Sequence, residues 1–190
     1  MSLWGNDIKP KNLTTAEKKE VFATSQGWVR EAGSILSGNG NTSADAEVLV
    51  AIGGLSTSMA AANITEIEFI TTAFDLSAGG AISARVRFNE AVTVTGTPTL
   101  SIINGNQGAG TGRGPHVANY ASGSTTNELV FTITIGAANA ATVAGDILVV
   151  GANAVALNGG TIKDSGTAVV STITNLAAIG TAAGSITVVA

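Results

Sequence analysis

Ile82-Ser83-Ala84-Arg85-Val86-Arg87-Phe88 puts Ile82, Ala84, Val86 and Phe88 on one side of an extended chain. Ser83, Arg85 and Arg87 fall on the other. Leu129, Phe131, Ile133 and Ile135 repeat the pattern, with Val130, Thr132 and Thr134 opposite. An apolar period of two marks half-buried antiparallel strands. The alternation runs on through residues 74–176. It predicts a β-sandwich that binds or builds, and it carries no catalytic residues.

Outward from these two segments, candidate strands cover 81–88, 91–95, 99–103, 117–121, 128–135, 146–150 and 169–173. Turn residues separate them at the short intervals of a sandwich. Residues 185–189 read as an edge strand, and 176–178 either continue the preceding strand or bend away from it. The chain is 190 residues long with 45% hydrophobic residues, enough for one core plus a small extra unit. The 24 glycines fit a β-protein with many tight turns. Net charge is −4, which gives no general attraction to nucleic acid or anionic lipid. The chain has no cysteine, which excludes disulfides, cysteine catalysis and thiolate metal sites. No segment approaches the ~20 apolar residues that span a bilayer as a helix. The start at Met1 has no charged n-region followed by an apolar h-region, so the expectation is cytosolic synthesis without a secretory signal.

Charge divides the chain. Lys9, Lys11, Lys18, Lys19 and Arg30 are five of the nine basic residues, and all lie in the first thirty positions. The expected organisation is a small β-rich domain over residues 1–71 and a sandwich domain over 72–190. In the first unit, Thr14-Thr15-Ala16-Glu17 has capping-box spacing and predicts a short helix over 15–23. Strands are predicted at 26–31, 47–52 and 64–70, with a loop at 37–43.

Phe88-Asn89-Glu90-Ala91-Val92-Thr93-Val94-Thr95-Gly96-Thr97-Pro98-Thr99-Leu100 resembles the F-S-E-A-V-x-V-T-G-T-P-x-L stretch of bacterial Ig-like domains. Three further blocks follow in the family's order: Asn119-Tyr120-Ala121-Ser122-Gly123-Ser124, Asn127-Glu128-Leu129-Val130-Phe131, and Ala156-Leu157-Asn158-Gly159-Gly160-Thr161-Ile162-Lys163-Asp164. The resemblance implies an Ig-like β-sandwich, a fold that hosts many roles. Such domains occur in tandem in large surface proteins and adhesins, whereas this chain has one copy and a longer Gly-rich stretch at 104–115. Leu3-Trp4-Gly5-Asn6, Lys9-Pro10-Lys11, Ala16-Glu17-Lys18, Val21-Phe22-Ala23-Thr24 and Gly27-Trp28-Val29 are similar to small virion proteins of myoviruses that infect marine cyanobacteria.

Candidate chemistry is sparse. His116 is the only histidine, at a loop-to-strand junction, and reads as a surface or turn residue. The run 105–114 lacks the Gly-x4-Gly-Lys-Ser/Thr phosphate-loop pattern and joins two strands instead of opening a helix, so it reads as a contact loop. Glu66 and Glu68 share one strand face, as do Arg85 and Arg87, and both pairs read first as solvated. The carboxylates Asp75, Glu90, Asp146 and Asp164 lack the calcium-loop pattern and read as turn caps. Trp28 reads as core and Trp4 as a possible anchor in a partner's pocket.

The expectation is a non-enzymatic phage virion structural protein, first a capsid decoration or cement protein on the capsid surface. A tail or fibre component, or a bacterial surface adhesion module for carbohydrate or protein, is the alternative. No cofactor and no metal is expected. Expected partners are the major capsid protein or other virion proteins, with lattice-bound or homo-oligomeric copies. Neither nucleic acid nor membrane is expected as a partner, and a host surface glycan is a further possibility. The expected contact residues are Trp4, Lys9, Lys11, Arg85, Arg87 and Arg113.

Overall fold

A computed structural model describes residues 20–24, 27–30, 32, 46–51, 61–104, 114–137 and 142–190. The first strands are β1 (Val21–Thr24), β2 (Gly27–Arg30) and β3 (Glu47–Ala51), which form a three-stranded antiparallel sheet in the order β1-β2-β3. Trp28 is buried against Val21, with Leu49 beside them, as expected of a core tryptophan. The helix expected over 15–23 is corrected at its C-terminal end. Residues 21–23 lie in β1, where Val21, Phe22 and Ala23 pair with Arg30, Val29 and Trp28. A capping box is a local signal, and a hairpin of β-branched and aromatic residues outweighs it. Residues 15–19 and the loop at 37–43 lie outside the described residues.

The second sheet has nine strands. They are β4 (Ile64–Phe69), β5 (Phe74–Asp75), β6 (Gly80–Thr95), β7 (Thr99–Asn104), β8 (His116–Ser122), β9 (Thr126–Ile135), β10 (Ile147–Ala156), β11 (Thr161–Asp164) and β12 (Ser185–Val189). Their order is β11-β6-β9-β8-β7-β10-β12-β5, and β4 also pairs with β6. Lettered A to G in chain order, β4, β6, β7, β8, β9, β10 and β12 follow one another as A-B-E-D and then C-F-G. Here β7 and β8 are also hydrogen-bonded, so the sheet is continuous and curls. The curl nearly closes, because β5, just before β6 in the chain, pairs in parallel with β12 at the far end.

The interior holds Ile82, Ala84, Val86 and Phe88 of β6 with Leu129, Phe131 and Ile135 of β9, facing Leu100, Ile102, Leu148, Val150, Ile186 and Val188. Burying each large side chain contributes roughly 1.5–3 kcal/mol. Some expectations change. The strands read at 81–88 and 91–95 are one strand, β6, whose pairing with β9 shifts between Arg87 and Val92. Such an irregularity bends a strand without ending it, and the bent β6 pairs with β4 along one half and β11 along the other. Residues 169–173 are not a regular strand. Val170 and Thr172 make isolated bridges to Lys163 and Asn63, and the true strand is β11, whose four residues sit between Gly-rich turns. β12 is not an edge strand, because β10 and β5 flank it.

The region at 176–178 bends away into α1 (Ala177–Ala182). This helix lies against β10 and β4. At Gly180 its backbone comes so close to the carbonyls of Val150 and Gly151 that a Cβ would collide with both. β10 is irregular here, since its pairing with β7 breaks between Val150 and Val155. The buried Asn175 takes the place of a strand partner. Its Oδ1 accepts from the Ala154 amide at 2.8 Å, and its Nδ2 donates to the Gly151 carbonyl at 2.9 Å. The Asn175→Ala variant leaves the buried Ala154 amide and the half-buried Gly151 carbonyl without these bonds and is expected to lose about 1–3 kcal/mol of stability in urea unfolding.

Candidate functional site

The outer face of β6 carries a connected group of charges. Register brings Glu66 of β4 and Glu128 of β9 to either side of Arg87, and Glu68 of β4 beside Arg85. Arg87 Nε donates to Glu128 Oε2 at 3.0 Å, and one of its terminal nitrogens donates to Glu66 Oε2 at 3.2 Å. That same nitrogen is 3.7 Å from Glu68 Oε2. Arg85 bridges Glu68 at 3.2 Å and Glu128 at 3.4 Å. The Arg87 side chain is 0% exposed, although it points away from the apolar core. β1 of the smaller sheet lies against β6.

The reading of Arg85 and Arg87 as a solvated face is therefore corrected. Arg87 has no surface to offer a partner, and Arg85 is mostly covered. Glu66 and Glu68 belong to the same group. A guanidinium suits this place because it stays charged and presents several donors in a fixed fork. A signal for the cluster was present in the chain. Glu-x-Glu and Arg-x-Arg on neighbouring antiparallel strands interleave opposite charges when the register aligns them.

A second polar group joins one end of the sandwich. His116, at the start of β8, is buried, which corrects its reading as a surface or turn residue. Its Nε2 is 2.9 Å from the Thr142 hydroxyl. Asp146, just before β10, accepts from the Val143 amide at 2.9 Å and from Asn104 Nδ2 at 3.3 Å. Asp146 and Val188 also bond through their backbones, which ties β12 to the same end. Threonine, histidine and aspartate have the composition of a nucleophile, base and acid. Thr142, however, is only 1% exposed, so its hydroxyl faces the protein interior and not a substrate. The cluster instead joins the ends of β7, β8, β10 and β12. Burial pushes the His116 imidazole below its ordinary value, and the nearby Asp146 charge partly opposes that shift.

Asp75 and Asp164 cap turns as expected. Asp75 accepts from the Ser77 hydroxyl and from the Ser77 and Ala78 amides, which holds its carboxyl below the usual range. Burial raises the Asp164 carboxyl, but bonds from the Thr167 amide and hydroxyl and from the Gly166 amide outweigh it and leave the group lowered. Among the described residues, no three His, Cys, Asp or Glu side chains converge to hold a metal. Trp4, Lys9, Lys11 and Arg113 lie outside the described residues, as does nearly all of the Gly-rich run 105–114. No protein-family model, curated protein or solved structure matches the chain.

His116 sets a pH dependence. Its folded-state pKa lies below the unfolded value of 6.5, so the unfolded chain binds the proton more readily. The stability that neutral His116 contributes is complete above 6.5 and is lost as pH falls from there toward the lowered folded value. Urea midpoints are expected to fall between about pH 7 and pH 5, the range of histidine titration. The His116→Gln variant should flatten that slope.

Proposed function

We propose that this chain is a non-enzymatic structural protein of a phage virion, a capsid decoration or cement protein. The residues before β4 dock on the capsid lattice, and the sandwich, which takes in β4 (Ile64–Phe69) and so begins before the boundary at 72 expected from the sequence, is displayed outward. The observation that carries this reading is the pairing of two resemblances along one chain. A virion-like N-terminal stretch precedes four Ig-like blocks, and those blocks fall on strands and turns ordered A-B-E-D and C-F-G. The mechanism needs no chemistry at a site. Many copies on a repeating lattice gain avidity from modest individual contacts.

The burial of Arg87 bears on where docking occurs. The sandwich uses its arginine pair internally, so Trp4, Lys9 and Lys11 are the residues proposed to meet the capsid protein. The Ig-like blocks also favour a second reading, a bacterial surface adhesion module that recognises a glycan or protein. Quantitative mass spectrometry of purified particles separates the two. The virion reading expects the chain in a fixed, lattice-like ratio to the major capsid protein. Absence from particles together with recovery from the cell envelope would overturn it.

A further inference from the structure

Glu90 and Asp164 meet where β11 pairs with the bent part of β6. Asp164 lies opposite Val92, and the Ser165 amide donates to the Ala91 carbonyl at 2.9 Å, so Glu90 stands beside the turn that follows Asp164. Asp164 is 1% exposed. Its Oδ1 accepts from the Thr167 amide at 2.6 Å and from the Gly166 amide and the Thr167 hydroxyl, each at 2.9 Å. Its Oδ2 is also buried, yet among the described residues no donor reaches it. The Glu90 carboxyl lies within hydrogen-bonding reach of this side chain, but an ionised carboxyl only accepts. Lys163 does not fill the gap, because alternation along β11 turns it to the opposite face from Asp164.

Two facing carboxylates, one of them out of water, require a positive charge between them. We infer that Glu90 and Asp164 form a binding site for a calcium-like divalent cation, held by Asp164 Oδ2 and the Glu90 carboxylate. The three donors on Oδ1 outweigh burial and keep Asp164 in the ionised form that a ligand needs. Glu90 is half-buried, which gives water access to the shared position. Carboxylate oxygens suit a hard cation. Calcium accepts an irregular set completed by water, whereas magnesium demands a near-ideal octahedron.

The ligand count sets the strength. Among the described residues no third His, Cys, Asp or Glu joins the pair, so the site has fewer protein ligands than a closed calcium loop. Its affinity belongs in the range of about 10⁻⁴–10⁻³ M found for extracellular modules. A bound cation ties the end of β11 to the bend of β6 and fixes the turn at 165–168. This inference does not rest on the virion reading.

Thermal unfolding of the full chain, stripped with EDTA and returned to calcium chloride or to sodium chloride of equal ionic strength, tests it. The expected result is a midpoint that rises with calcium and saturates, by roughly 3–6 °C at tenfold the dissociation constant. Glu90→Gln should abolish that rise without lowering the midpoint in EDTA, because its amide can donate to Asp164 Oδ2. Far-UV circular dichroism checks its fold. Should it not fold, Glu90→Asp, which keeps the charge and shortens the reach, takes its place and should weaken the rise. Asp75→Asn, a turn cap at the far end of the strand order from β11, should keep the rise in full. No response to calcium would overturn the inference, as would a response that the Glu90 variants retain. So would a chain stabilised by acid and indifferent to calcium, which would place a shared proton between the two carboxyls.

Discussion

A guanidinium with no exposed surface has to be neutralised where it stands, and much of this structure is arranged around that constraint. Arg87 sits on the outer face of β6, at the meeting of β4, β6 and β9. Moving an unpaired charge out of water costs several kcal/mol, so the carboxylates of Glu66 and Glu128 must flank it. That requirement fixes the registers of β4 and β9 against β6. A slip of one residue in either would turn its glutamate toward Phe88 and Val86 and leave Arg87 without its partner. β4 has no other strand partner among the described residues, so this row also holds the A strand onto the layer.

The inner face of the same strand does different work. Ile82, Ala84, Val86 and Phe88 anchor a core shared by both layers. Charge outside and apolar packing inside thus come from one alternation of period two. In the opposite layer β7 and β12 keep the alternation and β10 interrupts it, and Ser, Thr, Val and Ile stand in place of charge. The molecule therefore has one layer whose outer polar groups are used internally and one whose outer face is free of charge.

Much of this was legible in the chain. Alternation placed β4, β7, β8 and β9 within a residue or two, because each is half-buried and bounded by turn residues. It failed where pairing is decided by distant residues. β11 is four residues long, and Ile162 alone gives it an apolar side. β10 runs past its apparent end because Asn175, some twenty positions later, supplies the bonds its irregular segment lacks. The charged cluster was missed for a related reason. Its residues were visible, but the register that interleaves Glu66 and Glu68 with Arg85 and Arg87 belongs to the fold and not to either segment. His116 was misplaced because its burial depends on Thr142 and on the strand ends around Asp146.

The most direct measure of this account is the coupling energy between Arg87 and Glu128. A double-mutant cycle from Arg87→Met and Glu128→Gln, followed by urea unfolding, isolates it. An internal pair that sets strand register should show a coupling of about 1–3 kcal/mol. A coupling below about 0.5 kcal/mol, the level of a screened surface pair, would contradict the claim that Arg87 organises this layer.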